Sequence, residues 1–244
     1  MTYCLAMRLN AGLIFASDSR TSAGVDNISI YSKMHRFETQ PDRLIVLLSA
    51  GNLATTQAVV NQLNRDLDNP EVEHDLNSFS NLDELTGYVG EISSEVQVAQ
   101  SDQAEQSAFT ASFILGGQIQ GHPPDVFLVY PQGNHIAASQ DKPFLQIGET
   151  KYGKPILDRI IQPDSDMEHA ARCALVSMDA SMRSNLSIGP PIELFMYQAD
   201  TINQFRRLRF EQDDPFLTET SRAWTDGLDA LFAYLPRFEW EPKA

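Results

Sequence analysis

The chain has 244 residues, 42% of them hydrophobic, and its 33 acidic and 18 basic side chains give a formal net charge of −15. This length can bury one large hydrophobic core, and we expect a single domain over residues 1–244. The negative charge argues against nucleic acid and anionic membranes as partners, because both would repel the chain. No apolar run approaches the roughly 20 residues that span a bilayer, and the N-terminus does not resemble a signal peptide, so we expect a cytoplasmic protein.

The cysteines and histidines form no metal-binding pattern. Cys4 and Cys173 lie far apart in the sequence, and the five histidines have no HxxxH or HxH spacing. We therefore expect two reduced thiols that serve in packing, no protein metal site and no cofactor.

Short apolar or alternating segments separated by turn residues dominate the first fifty positions. This pattern predicts hairpins of one antiparallel sheet. The predicted strands cover residues 3–9, 13–18, 28–30, 34–38 and 44–49, with turns at 10–12, 24–27 and 40–42.

From residue 52 the apolar period lengthens, which predicts a helix over residues 52–67. A polar, acidic segment at 71–81 precedes a second amphipathic helix whose apolar face runs from Leu85 to Ala99. A second block of strands follows at 109–116, 125–130, 136–139 and 144–147, with turns at 116–117, 121–124 and 131–134.

The last hundred residues add three helices and two strands. The first helix is predicted at 152–161, the second begins at a capping box formed by Ser165 and Glu168, and the third begins after residues 213–215. The two strands are predicted at 192–198 and 204–210. Because strands and helices come in separate blocks, the fold class is α+β, and we expect a four-layer αββα sandwich of two antiparallel sheets between helical layers. The aromatic tail at 238–240 should cover the core or meet a neighbouring subunit.

The candidate chemistry lies at the start of the chain, since no GxSxG elbow, phosphate-binding loop or convincing GxGxxG is present. Removal of Met1 would leave Thr2 with a hydroxyl and a free α-amine. That amine titrates near pKa ~8, about two units below a lysine, so it can serve as the base for its own hydroxyl. The pair needs a cation, an anion that fixes it and backbone donors for an oxyanion, and Lys33, Asp18 and Gly51 are candidates.

Several segments resemble known proteins. The run LIFASDSRTSAG at 13–24 resembles the second-strand signature of proteasome β subunits. Lys33 lies at the place of that family's active-site lysine. The run LLSAG at 47–51 resembles the strand that precedes the family's first helix. Within this superfamily the sequence resembles Anbu, the bacterial ancestral β-subunit group. That likeness rests on residues 2–4, 24–29, 33–35, 177–179 and 182–187.

The resemblance implies a proteasome-like N-terminal-nucleophile hydrolase. It assigns Thr2 as nucleophile and base, and Lys33 as the charge that lowers the pKa of the amine. Asp18 would orient Lys33, and the Gly51 amide would donate to the oxyanion.

Two positions depart from the family pattern. A family serine between glycines is replaced where the chain reads Gly-Glu-Thr at 148–150, and a later family aspartate and serine fall at Ser184 and Ser187. The resemblance therefore adds Ser187 to the site but leaves the aspartate unmatched. Losing a carboxylate beside the amine should alter its protonation, and Asp179 and Glu149 are candidates to compensate.

The leading hypothesis is a bacterial, self-assembling threonine peptidase that hydrolyses amide bonds in peptides or unfolded segments through an acyl-enzyme on Thr2. The resemblance implies a homo-oligomer, either a ring or an open helical assembly. One alternative is an amidase or transferase acting on a small amide, and another is a weakly active or inactive scaffold. The substrate side chain, the number of subunits and any ATPase partner stay open.

Overall fold

A computed structural model describes residues 1–22, 28–101 and 109–241. The predicted turn at 24–27 lies outside the described residues. The elements are, in chain order, β1 (Tyr3–Leu9), β2 (Gly12–Asp18), β3 (Arg20–Ser22), β4 (Ile28–Ile30), β5 (Met34–Arg36), β6 (Arg43–Gly51), α1 (Leu53–Asp68), α2 (Leu82–Ser101), β7 (Ala111–Ile119), β8 (Asp125–Val129), β9 (His135–Ala137), β10 (Phe144–Gly148), α3 (Lys154–Ile160), α4 (Met167–Ser184), β11 (Ile192–Gln198), β12 (Phe205–Phe210) and α5 (Pro215–Phe232).

Two five-stranded antiparallel sheets form the centre of the molecule. The first has the order β10-β1-β2-β11-β12 and the second the order β5-β6-β7-β8-β9, while β3 and β4 pair as a small separate ribbon. In the first sheet Tyr3 lies opposite Gly148, and Asp18 lies opposite Ile192. The ends of β2, β10 and the start of β11 therefore meet beside the N-terminus.

Alternation along β1 explains the layers. Leu5 and Met7 pack on one face against α3 and α4, whereas Cys4 and Ala6 face the second sheet. The second sheet in turn packs its outer face against α1 and α2. The central strands of each sheet are thus buried on both faces, and the predicted α+β sandwich with layers αββα is confirmed.

Two local predictions were wrong. No turn occurs at 116–117, because β7 runs straight through both glycines. A Cβ on Gly117 would lie 1.9 Å from the Leu44 carbonyl oxygen, so this glycine permits close strand approach rather than a reversal. Helix α4 is capped by Asp166, whose side chain accepts from the His169 N–H, and not by Ser165.

The C-terminal part lies on the outside of the chain. No described residue of α5 is buried, and Phe238 and Trp240 are exposed, so the tail does not cover the core of its own chain. None of the described helices is long and apolar enough to cross a membrane.

Candidate active site

Asp18 is the centre of a polar cluster at the end of β2. Its side chain is fully buried, and Oδ1 accepts from the backbone N–H of Tyr3 at 3.0 Å. Oδ2 accepts a longer bond from the Gly189 N–H at 3.4 Å. Because β1 and β2 are hydrogen-bonded neighbours, the last residue of β2 necessarily lies beside the first residues of β1.

Lys33 completes a buried ion pair with this carboxylate. Its Nζ donates to Asp18 Oδ1 and to the Arg20 carbonyl oxygen, both at 2.7 Å. The Lys33 carbonyl in turn accepts from the Ser49 N–H at 3.0 Å, which ties residue 33 to β6. Burial raises the pKa of Asp18, while the charge and hydrogen bond of Lys33 act in the opposite direction.

Thr2 immediately precedes β1 and is half-buried. Its carbonyl accepts from the Glu149 N–H at 2.7 Å. Gly148 makes this contact possible, since its φ is +81° and a Cβ there would lie 2.0 Å from the Thr2 oxygen.

Tyr3 anchors the strand that begins at Thr2. Its ring is fully buried, its hydroxyl shares a 2.7 Å hydrogen bond with Ser177 Oγ of α4, and it accepts from Gln146 Nε2 at 2.5 Å. Burial raises the pKa of the Tyr3 hydroxyl, so it stays protonated at neutral pH.

Gly51 and Ser187 lie on separate segments, each two positions along the chain from a residue that contacts the Asp18–Lys33 cluster, Ser49 and Gly189 respectively. Gly51 is the exposed last residue of β6; its φ is +121°, and a Cβ there would lie 2.3 Å from the Thr110 carbonyl oxygen. Ser187 is half-buried in the segment between α4 and β11, where its N–H donates to Asn185 Oδ1 at 3.0 Å. Arg20 holds that segment by donating to the Leu186 carbonyl at 3.0 Å.

The two candidate compensating carboxylates have different surroundings. Glu149 is buried next to the Thr2 strand, where Oε2 accepts from Asn185 Nδ2 at 3.3 Å and Oε1 lies 3.5 Å from Lys151 Nζ. Asp179 instead pairs with Arg183 one helical turn along α4, at 3.0 Å. Glu149 is therefore the carboxylate that is joined to both the Thr2 strand and the Ser187 segment.

Sequence reasoning did not find Tyr3 and Gly189 as parts of this cluster. Both contribute a backbone N–H to Asp18, and a backbone donor leaves no trace in the residue type. Among residues 1–22, 28–101 and 109–241, no group of three His, Cys, Asp or Glu side chains could hold a metal ion.

Comparison with known proteins places the chain in one class. The family model "Proteasome subunit" matches residues 2–195. The solved structure of Anbu (ancestral beta-subunit) from Yersinia bercovieri is 43% identical with a TM-score of 0.91, over 99% of this chain and 100% of that chain. Anbu from Hyphomicrobium sp. strain MC1 is 43% identical with a TM-score of 0.89, over 98% of this chain and 100% of that chain.

A third solved structure, the helical assembly of the Anbu complex from Pseudomonas aeruginosa, is also 43% identical with a TM-score of 0.91, over 98% of this chain and 99% of that chain. No curated protein matches the chain significantly. The fold is that of the proteasome-like N-terminal-nucleophile hydrolases. The chain belongs to the proteasome subunit family and, within it, to the Anbu (ancestral beta-subunit) group.

Proposed function

We propose that this protein is a threonine hydrolase that cleaves amide bonds in peptides or unfolded segments, with Thr2 as its nucleophile once Met1 is removed. The observation that carries the proposal is the buried pair of Lys33 and Asp18, 2.7 Å apart, whose carboxylate also holds the backbone of the Thr2 strand through Tyr3. Moving a charged group from water into the protein interior costs roughly several kcal/mol per ion, before any gain from pairing the two charges. A cation kept there at such a cost fits a role in tuning a neighbouring amine.

Acylation needs a free amine on Thr2. While Met1 is attached, the Thr2 nitrogen is a peptide nitrogen and cannot act as a base. Met1 is 61% exposed, which fits access by an aminopeptidase. After its removal the Thr2 hydroxyl attacks the carbonyl carbon of the substrate and its proton passes to the α-amine, directly or through water.

The tetrahedral intermediate then collapses. Its oxyanion accepts a hydrogen bond from the Gly51 amide, the carbon–nitrogen bond breaks, and the departing amine takes the proton from the α-amine. The resulting ester on Thr2 is hydrolysed by water activated by the same amine. Lys33 keeps the pKa of that amine low, Asp18 orients Lys33, and Ser187 supports the amine side of the site.

Glu149 is our candidate for the carboxylate that the family pattern lacks at Ser184. Its peptide N–H already binds the Thr2 carbonyl, and its side chain is linked through Asn185 to the backbone of Ser187. A buried anion at this point would compensate for the missing family aspartate by stabilising the protonated amine during transfer.

We also propose that the protein works as a homo-oligomer, either a ring or an open helix. The exposed apolar residues of α5 and the segment after it are the surface that would meet a second copy: Phe216, Leu228, Leu231, Phe232, Tyr234, Leu235, Phe238 and Trp240. Apolar patches of this extent on a single chain generally mark interaction sites. The related Anbu complex from Pseudomonas aeruginosa forms a helical assembly.

Intact mass spectrometry tests the proposal, before and after treatment with a β-lactone, with Thr2→Ala as the control. We expect a chain that lacks Met1 and gains one adduct, and a Thr2→Ala chain that gains none. A chain that retains Met1, or a processed chain that stays unlabelled, contradicts the proposal. That result would favour the alternative of an inactive scaffold, for which the replacements at Glu149 and Ser184 are the specific evidence.

Substrate assays separate the remaining possibilities. Labelled protein that degrades an unfolded protein supports the peptidase. Labelled protein that turns over only small amides, such as γ-glutamyl compounds, supports an amidase or transferase on the same fold.

A further inference from the structure

A second buried carboxylate lies close to the proposed site but outside the set that the family pattern assigns. Glu193, near the start of β11, is 1% exposed. It lies on the same face of its strand as Phe195, which packs between the two sheets. In the strand ladder Glu193 lies directly opposite Ser17, the residue before Asp18.

The hydrogen bonds of Glu193 lead to the segment that carries Lys33. The nearest acceptor for the Ser32 hydroxyl is Glu193 Oε2, at 2.5 Å, and the Met34 carbonyl oxygen lies farther away, at 3.1 Å. Ser32 Oγ also accepts a longer bond from the Met34 N–H at 3.4 Å. Through the Ser32 hydroxyl, Glu193 is connected to both chain neighbours of Lys33, Ser32 and Met34. On its other side Glu193 accepts from Arg207 of β12 at 2.7 Å, and Arg209 lies 3.9 Å away.

The segment at residues 31–33 has no regular strand structure. Its described backbone hydrogen bonds are one from the Tyr31 N–H to the Ser19 carbonyl and one from the Ser49 N–H to the Lys33 carbonyl. A long lysine side chain has many rotamers, and ordering it costs conformational entropy. Any movement of the backbone at residue 33 would also displace Nζ from Asp18, so the backbone there must be held in place. The Ser32 hydroxyl supplies a charge-assisted hydrogen bond at this point.

We propose that Glu193 is a positioning residue for the reaction, which fixes Lys33 on Asp18 by holding the hydroxyl of Ser32. The inference rests on the proposed function of Thr2. A carboxylate in the inter-sheet core costs free energy that an apolar residue would not, so its presence there calls for a role of this kind. Arg207 offsets part of that cost from the sheet edge.

Ser32→Ala is the first test, because Ser32 itself is exposed and its replacement disturbs little packing. We expect the rate constant of Thr2 labelling to fall roughly tenfold, as for the loss of one hydrogen bond to a charged group. The pH profile of labelling should also shift toward that of an ordinary α-amine, near pKa ~8, because a displaced Lys33 no longer lowers it. Ser32→Thr keeps the hydroxyl and should restore both the rate and the profile.

The matched control is Ser78→Ala. Ser78 is also exposed and donates to a carboxylate, Asp75 Oδ1 at 2.7 Å, in the loop between α1 and α2. We expect its labelling rate and pH profile to equal those of the wild type. A Ser32→Ala protein that behaves like Ser78→Ala would overturn the proposal.

A double-mutant cycle decides whether Ser32 acts through Glu193. Glu193→Gln keeps an acceptor oxygen but removes the charge that strengthens the Ser32 bond, so it should slow labelling less than Ser32→Ala does. The double variant should be no slower than Ser32→Ala, because both changes act on one connection. Effects that multiply would show that Ser32 acts on its own and would overturn the role of Glu193.

The failure of this inference is distinguishable from failure of the proposed function. A wild-type protein that never labels contradicts the function of Thr2 but leaves the contact to be tested by structure. A crystal structure of Ser32→Ala in which Lys33 Nζ has left Asp18 supports the positioning role, and an unchanged 2.7 Å contact overturns it.

Discussion

The end of the sandwich that holds the candidate site and the C-terminal segment, residues 215–240, differ in which kinds of side chain they bury. At the candidate site Asp18 and Lys33 are buried, as is Glu193 beside it, and each of these charged residues has its partners within the same chain. In the C-terminal segment, apolar residues are exposed, Phe232 by 70% and Trp240 by 79%.

This contrast indicates that the two regions serve different purposes, the geometry of a single chain and the contact between chains. A buried polar cluster that is satisfied internally can hold its geometry in one chain, whereas an apolar helix face gains stability only when another surface covers it. Substitutions at the site should therefore change labelling and stability of the single chain. Substitutions in the C-terminal segment should change assembly.

Breaking the buried ion pair should have the largest effect. Lys33→Met leaves Asp18 buried without its cation, and we expect labelling to fall by about 10²-fold or more and the free energy of unfolding by about 3–5 kcal/mol. The control is Lys154→Met, which breaks the exposed pair with Asp158 and should cost less than about 1 kcal/mol without changing labelling. Equal effects of the two changes on labelling would show that Lys33 has no special role.

Gly148→Ala should come next, because it moves Thr2 directly. The added Cβ would lie 2.0 Å from the Thr2 carbonyl oxygen, and we expect a loss of about 3 kcal/mol in a urea unfolding titration together with slower labelling. Gly121→Ala also has a positive φ but meets no atom within 4 Å, so it should cost only about 1 kcal/mol. If both variants lost the same stability, steric contact with Thr2 would not be the cause.

Two tyrosines provide a smaller and more closely matched comparison. Tyr3→Phe removes the hydroxyl that binds Ser177, and Tyr88→Phe removes one that donates to Asp66 at 2.7 Å in the opposite helical layer. Each should lower the free energy of unfolding by about 1–2 kcal/mol. Only Tyr3→Phe should slow labelling, and a similar slowing by Tyr88→Phe would mean that the loss is a general effect of reduced stability.

Phe232→Asp should have the smallest effect on a single chain and change its free energy of unfolding by no more than about 0.5 kcal/mol, because the Phe232 side chain is mostly exposed and packs little against the core. Its mass distribution by mass photometry should nevertheless shift to smaller assemblies, since a charge in an apolar interface is costly. Ile136→Asp, at an exposed position on β9, is the control and should leave the distribution unchanged. An unchanged distribution for Phe232→Asp would remove the C-terminal segment from the assembly surface.

The sequence predicted most of the fold because its signals are local. Apolar alternation located the strands of both sheets, and the change of period after residue 51 located α1. It erred at 116–117, where two glycines looked like a turn, because close approach of a neighbouring backbone is a tertiary requirement without a local pattern.

The candidate site was only partly accessible from the sequence. Motifs pointed to Asp18 and Lys33, and the structure brings their side chains together. The contributions of Tyr3, Gly189 and Glu193 depend on contacts between residues up to 171 positions apart. Periodicity carries no information on such contacts.

The most direct test of the central claim is the position of the adduct after reaction with a β-lactone, mapped by tandem mass spectrometry of the N-terminal peptide. We predict a peptide that begins at Thr2 and carries the acyl group on the Thr2 hydroxyl. Cys4 lies in the same peptide, but burial raises its pKa and keeps it a thiol. An adduct on Cys4 or on a lysine, or a peptide that still begins with Met1, would contradict Thr2 as the nucleophile.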